Sequence, residues 1–294
     1  MDILNTKQTV AIIGLGNMGL GMAKALLRAG FTVNGCDIAA PAQAAANGAG
    51  VRLFDSPSAA VLQAHCVLIA VVNAAQIDVV LTDLLPAFSP QHTVLFMSTI
   101  APKDAARFAA SVQACGARAI DAPMSGGPAR AAAGHMTLML AGEPAALKAA
   151  QNVTQTLANR CFTLSAVAGD AMKAKLLNNL LAGIHLAAGA QVLRVAGELG
   201  LDEAAFLELT QVSSGQSWIA GDRLPRALAQ DFEPRSYLHI LSKDVGLANE
   251  YLAENGYALP TGLAAQAVFQ AGLDAGHRDL DDAALYLLAA PQNS

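Results

Sequence analysis

Residues 169–200 run without a proline and are broken only by isolated glycines. A helix of about 30 residues is about 45 Å long, roughly the span of a small domain. An element of that length is suited to join two domains rather than to sit inside one. Its first residues are polar, with Asp170, Lys173, Lys175, Asn178 and Asn179. Its body is apolar nearly all round, which predicts burial on several sides. A polar cluster at the head of a buried helix needs a reason, because unpaired amides and ammonium groups are costly to bury.

What precedes this stretch is built differently. Residues 9–13 form a short apolar, β-branched run that suits a strand buried on both faces. It meets Gly14-Leu15-Gly16-Asn17-Met18-Gly19, after which residues 20–30 read as a helix. Strand, glycine turn and helix together give the G-x-G-x-x-G pattern its meaning. Gly14 permits the tight turn, Gly16 lets the backbone approach a pyrophosphate, and Gly19 lets helix and strand pack closely. The helix N-terminus offers its positive end to the phosphates. A second strand over residues 31–37 ends in Asp37, near the usual spacing of about 20 residues from the motif. A carboxylate there accepts hydrogen bonds from the adenosine ribose and repels a 2′-phosphate, and Ile38 beside it supplies no arginine. NAD is therefore expected over NADP. The alternative role for Asp37 is to cap the next helix.

Strands are expected over residues 51–53, 66–72, 93–97, 117–120, 136–141 and 161–164, and helices over 44–50, 56–64, 74–85, 102–115 and 144–157. Such alternation implies a parallel sheet wrapped by helices. After Ala168 the strand pattern stops, and the rest to Leu288 reads as helix with turns near Gly200, Gly215, Pro234, Gly256 and Gly276. The expected fold class is α/β. A Rossmann-type dinucleotide-binding domain over residues 1–166 is followed by an all-α domain over 167–294, and the long helix joins them.

The chain has 294 residues, 54% of them hydrophobic and only 14% charged, with a net charge of −5. That is ample core for two domains. No basic run or basic–aromatic interleaving points to nucleic acid. Cys36, Cys66, Cys115 and Cys161 are scattered and form no metal-ligand pattern, so buried thiols in a reducing cytoplasm are expected. Asp2 stands where a leader peptide carries positive charge, and the apolar run over 180–193 contains His185 and Gln191 and is short for a membrane span. A cytoplasmic protein with large buried interfaces is expected. None of the six histidines sits in a catalytic pattern, and His135, His185 and His239 read as packing or interface residues.

Ligands of open parallel sheets bind at the carboxyl ends of the strands. Four loops meet that rule: 14–19, 73–76, 98–102 and 121–128. In the last, Ser125, Gly126 and Gly127 offer a hydroxyl and unhindered backbone N–H groups, which suits a carboxylate cradle. Lys175, Asn178 and Asn179 stand at i, i+3 and i+4 and share one helix face. An amine between amides suits hydride chemistry on an alcohol: the lysine takes the hydroxyl proton in oxidation and returns it in reduction. Burial lowers the pKa of a lysine and tunes it for that task. Lys173 faces elsewhere and ranks second.

These residues give the chain its resemblance to the β-hydroxyacid dehydrogenase family, which includes 3-hydroxyisobutyrate dehydrogenase, tartronate semialdehyde reductase and, more distantly, 6-phosphogluconate dehydrogenase. The matching segments are Gly14-Leu-Gly-Asn-Met-Gly19, Ser98-Thr99 before Pro102, Asp121-Ala-Pro-Met-Ser-Gly-Gly127, Gly169 with Lys175-Leu-Leu-Asn178-Asn179, and Lys243-Asp244. They span nearly the whole chain in order. The resemblance implies Lys175 as the acid/base residue, with Ser125, Gly126, Gly127 and Asn179 at the substrate. It implies Thr99 and Lys243 beside the cofactor near the nicotinamide, with Thr99 shared with the substrate. It places Val72 and Asn73 in the cofactor loops, and it implies a homodimer or homotetramer packed through the long helix. Ala171 stands where members often carry a second glycine. Residues 71–76 and Gly215-Gln216-Ser217-Trp218 are most similar to the L-threonate dehydrogenase branch, whose members oxidise a sugar acid with NAD; Trp218 could equally be a core residue. Imine-reducing relatives commonly lack the lysine, and chromatin-reader relatives add further modules and lose it.

Overall fold

The computed structural model describes residues 8–288. Asp2, whose charge argues against a leader, lies outside them. The chain divides into two compact units, Met1–Lys175 and Leu176–Ser294.

The first unit begins with β1 (Thr9–Ile13), α1 (Asn17–Arg28), β2 (Thr32–Cys36), α2 (Ala40–Gly48), β3 (Arg52–Leu53) and α3 (Pro57–Val61). It continues through β4 (Cys66–Ile69), α4 (Ala74–Leu84), β5 (Thr93–Phe96), α5 (Pro102–Ala114) and β6 (Arg118–Asp121). Then come β7 (Met124–Ser125), α6 (Gly127–Ala133), β8 (Met136–Ala141), α7 (Pro144–Leu157) and β9 (Ala158–Ser165). The strand order is β3-β2-β1-β4-β5-β6-β8-β7, with β9 paired to β8. Strands β1 to β6 are parallel. Alternate residues of β1 point to opposite faces. Val10 and Ile12 join one core with Met22 and Leu26 of α1 and Val153 of α7, while Ala11 and Ile13 join the other with Ile77 of α4 and Phe108 of α5. The order reverses between β1 and β4, which is where an open α/β sheet receives a ligand.

The far edge departs from the expected all-parallel sheet. β8 is antiparallel to both β6 and β7. The short β7 and α6 return the chain from the carboxyl end of β6, so β8 starts at the end where β6 finished. Residues 124 and 125, expected in a loop, therefore form a strand, with Ser125 opposite Thr137. β9 is longer than the expected 161–164, and most of its side chains are exposed. Cys161 lies there, exposed, against the expectation of buried thiols; Cys36 and Cys66 are buried, and all four cysteines are unpaired.

The long helix α8 spans Asp170–Glu198, a single unbroken element of 29 residues. Its length and mean hydropathy of 1.4 would suffice to cross a membrane. In the second unit, however, Leu176, Leu180, Leu186, Ala190 and Leu193 enter a core with α10 (Trp218–Leu228), α11 (Leu238–Glu254) and α12 (Pro260–Asp274). A side chain at Gly183 would meet Val245 at 2.5 Å, so this glycine sets how closely α8 and α11 approach. The helix is not buried all round. Leu177, Leu181, Val192, Val195 and Leu199 stay exposed at steps of three and four residues or their multiples, which forms one stripe along the helix. α9 (Glu203–Gln211) and a 3-10 turn at Asp282–Leu287 complete the unit. The turn is fixed by buried carboxylates, with Asp281 accepting from Arg226 at 2.8 Å and Asp282 from Arg223 at 2.6 Å.

Candidate functional site

The glycine loop is preorganised by its own backbone. Gly14 has φ +95°, and a Cβ there would lie 2.6 Å from the Ala70 carbonyl oxygen. A Cβ on Gly19 would lie 1.9 Å from the Gly14 oxygen, so only glycine allows α1 to leave the loop this tightly. Gly16 differs, because nothing lies within 4 Å of where its side chain would project. That open side is the approach a pyrophosphate needs, beside the N-terminus of α1. The loop is tied to β2 by Asp37, whose Oδ2 accepts the Leu15 N–H at 2.6 Å. Its Oδ1 accepts the Ala39 N–H at 2.8 Å, as in a local turn ahead of α2. Each carboxylate oxygen has a second lone pair, so Asp37 holds the loop and still offers acceptors for ribose hydroxyls. Ile38 beside it is 96% exposed and presents no cation. The residues present fit a bound dinucleotide.

The neighbouring loops are fixed in turn. Ser98, buried at the end of β5, donates to the Val71 carbonyl at 2.7 Å and so joins the β4 and β5 exits. Val72 is exposed, and Asn73 caps α4 by accepting the Gln76 N–H at 2.9 Å. Thr99 is half-buried just after Ser98. Gly126 (φ +134°) and Gly127 (φ +74°) adopt conformations that L side chains rarely take, which turns the chain after Ser125. This loop lies close to the glycine loop through their following helices: a Cβ on Gly21 of α1 would meet Ala131 of α6 at 2.9 Å and the Pro128 oxygen at 3.1 Å. The helices that follow the two loops thus pack directly against each other.

The head of α8 belongs to the same unit. Gly169 has φ +102°, and a Cβ there would lie 2.8 Å from the Pro102 oxygen. Asp121, fully buried at the end of β6, accepts the Gly169 N–H at 2.9 Å and the Met172 N–H at 3.0 Å through Oδ2. Lys173 points away and pairs with Asp170 at 2.6 Å; Lys175 is 7% exposed. One turn further on, Asn179 is buried while Asn178 is exposed. Asn179 Nδ2 donates to Asp244 Oδ2 at 2.6 Å, and its Oδ1 accepts from Asn178 at 3.2 Å. Lys243 lies 3.0 Å from the other oxygen of Asp244. A buried carboxylate therefore orients both Asn179 and Lys243, leaving the second N–H of Asn179 for another acceptor.

Three residues that sequence reasoning had not singled out emerge here: Ser98, Asp121 and Asp244. All three stand inside recognised motifs, but their partners are distant in sequence. Trp218 is 59% exposed and is not a core residue. It lines a surface hollow of about 390 Å³ with Gln211, Gln216 and Asp222. His92 is a buried structural residue, bonded to Ser89 and to the Val61 carbonyl, and His135 and His185 are exposed. Among the described residues no group of three or more acids, histidines and cysteines could hold a metal.

Comparison with known proteins agrees with this architecture. Residues 9–165 match the family described as the NAD binding domain of 6-phosphogluconate dehydrogenase. Residues 168–289 match the NAD-binding family of NADP-dependent 3-hydroxyisobutyrate dehydrogenase. The chain is 36% identical to an L-threonate dehydrogenase of Cupriavidus necator over 95% of both chains. It is 32% identical to that of Escherichia coli over 94% of this chain and 93% of the other. A crystal structure of 3-hydroxyisobutyrate dehydrogenase from Salmonella typhimurium superposes with a TM-score of 0.88 at 32% identity, covering 95% of this chain and 99% of that one.

Proposed function

The chain belongs to the β-hydroxyacid dehydrogenase family and is an NAD-dependent oxidoreductase of hydroxy acids, and we propose that its substrate is the sugar acid L-threonate. The observation that carries the mechanism is a buried lysine on the anchored head of α8, one turn before the oriented amide of Asn179.

Oxidation removes a hydride from the carbinol carbon and a proton from its hydroxyl. NAD, when bound, supplies the hydride acceptor. Ser125 and the amides at Gly126 and Gly127 receive the substrate carboxylate, where a charge is best met by fixed dipoles. The proton passes to Nζ of neutral Lys175, and in reduction the ammonium returns it. Asn179 gives its remaining N–H to a substrate oxygen. Thr99, Val72, Asn73 and Lys243 line the cofactor, with Thr99 shared with the substrate, and Asp37 takes the ribose hydroxyls.

L-threonate is favoured by full-length identity to the two L-threonate dehydrogenases. The solved 3-hydroxyisobutyrate relative keeps that methyl-bearing acid as the second reading. A panel of L-threonate, D-threonate, D-erythronate, 3-hydroxyisobutyrate and D-glycerate, each with NAD and with NADP, separates them. The expected result is the highest kcat/KM with L-threonate and NAD. A preference for 3-hydroxyisobutyrate would replace the substrate, and equal use of NADP would remove the role given to Asp37.

The exposed stripe on α8 is assigned to a second copy of the chain. Apolar side chains in one helical row, with Leu199 at 77% and Val192 at 54% exposure, suit a symmetric helix contact. Val192→Glu with Leu199→Glu should convert the wild-type oligomer to monomer in sedimentation velocity. A wild-type monomer at micromolar concentration, or a double variant of unchanged mass, would contradict this. The unpaired cysteines agree with a cytoplasmic location.

A further inference from the structure

Asp121 carries a buried carboxylate that the proposed chemistry does not use. It ends β6, flanked in register by Phe96 of β5 and Ala141 of β8, neither of which can neutralise it. Its Oδ2 accepts the Gly169 and Met172 amides. Its Oδ1 is buried and finds no hydrogen bond among the described residues. The charged groups on the facing helix head do not compensate. Asp170 is of like sign and is engaged by Lys173 and Ser165. Burial pushes the Asp121 pKa up to about 6, against the opposing pull of the Met172, Gly169 and Ala171 amides. A neutral cap could hold the same helix without the desolvation cost of a carboxylate.

The location suggests what the charge does. Four residues after Asp121 the same chain segment presents Ser125, and three residues after Met172 the helix presents Lys175. Met172 and Lys175 are i and i+3, one above the other on the helix. One carboxylate therefore joins the segment that carries the substrate cradle to the turn that carries the lysine.

We propose that Asp121 is a positioning residue, whose ionised carboxylate fixes the head of α8 so that Lys175 Nζ stands at the correct distance from a substrate seated on Ser125 and Gly127. The inference rests on the reading of Lys175 as acid and base. Protonating Asp121 weakens two charge-assisted bonds to the helix head and lets the lysine shift. A displacement on the order of 1 Å costs about a hundredfold in rate.

The sign of the pH effect separates this role from simple support of the fold. The folded pKa of Asp121 lies above the unfolded value, so its ionised form opposes folding and acidification through about 6 removes that penalty. Stability from this group rises in acid while activity falls. The reductive direction is the informative one, because a protonated Lys175 is the competent form there and imposes no acid limb of its own.

The test measures kcat for reduction of the oxo acid by NADH between about pH 5 and 8, in wild type and in Asp121→Asn. The expected wild-type result is a fall in kcat through an apparent pKa near 6 with little change in KM. The variant should show a lower kcat at neutral pH, by about tenfold to a hundredfold, with no acid limb, and a melting temperature at neutral pH at or above that of wild type because the buried charge is gone. A second arm needs no substrate. Lys175 is 13C-methylated, and its resonance should show a step near pH 6 in wild type that is missing in the variant. A wild-type kcat and a Lys175 resonance both indifferent to pH over this range, or a variant within twofold of wild type in kcat, would overturn the proposal. If no hydroxy or oxo acid is turned over, the resonance arm still decides whether Asp121 governs the position of Lys175.

Discussion

Lys175→Met is expected to lower kcat for alcohol oxidation by about 10³- to 10⁴-fold while NADH binds as tightly as in wild type. General acid–base groups contribute rate factors of about this size. Methionine is apolar and of similar length, so it fills the site of a side chain that is 7% exposed without adding an unpaired charge. The head of α8 is anchored through the Asp121 carboxylate, which accepts the Gly169 and Met172 amides and is left intact by the substitution, so the fold should survive. Circular dichroism and NADH fluorescence check fold and cofactor, and stopped-flow absorbance checks the chemical step. Turnover retained within tenfold would remove Lys175 from the mechanism and would make Lys173, exposed and paired with Asp170, the next residue to test. Lys175→Arg should fail nearly as badly, because a guanidinium holds its proton at any working pH.

The second large effect concerns the glycine loop, where two neighbouring substitutions should behave oppositely. Gly19→Ala places a Cβ 1.9 Å from the Gly14 oxygen, and backbone cannot give way as a flexible side chain can. The loop must open or α1 must withdraw from β1, so both the melting temperature and NAD affinity should fall, with cofactor binding lost at millimolar concentration. Gly16→Ala meets nothing within 4 Å. The protein should fold and melt as wild type does, yet bind NADH at least about a hundredfold more weakly, since the methyl group occupies the approach of the pyrophosphate. Thermal melts and NADH titration of the two variants check this pair. If Gly16→Ala binds NADH normally, the cofactor does not cross the loop at Gly16.

Much of this was legible in the chain, for reasons that differ by element. β1 is apolar at every position from Val10 to Ile13 because a central parallel strand is covered on both faces. The glycine loop reads clearly because its requirements are local: Gly14 and Gly19 answer contacts within the turn or with the adjacent strand, and Gly16 leaves its outer side open. The direction of β8 was not legible, since Met136–Ala141 reads the same in either sense and only the short return through β7 and α6 fixes it. Asp121 and Asp244 could be seen as motif residues but not as anchors. Gly169 and Met172 lie far from Asp121 along the chain, as Asn179 does from Asp244. The exposed face of α8 was hidden for a simpler reason. Leu181, Val192 and Leu199 are of the same type as the buried Leu180, Leu186 and Leu193, and residue type does not say what covers a surface.

The central claim is that Lys175 carries the proton between substrate and solvent as the hydride moves. It is tested most directly by comparing the pH dependence of kcat/KM in the two directions above about pH 7. Neutral lysine is the base in oxidation and its ammonium is the acid in reduction. The account predicts that oxidation of L-threonate accelerates with rising pH through one ionisation and that reduction slows through the same ionisation, both features vanishing from the residual activity of Lys175→Met. Profiles that are flat in both directions, or that persist unchanged in the variant, would contradict it.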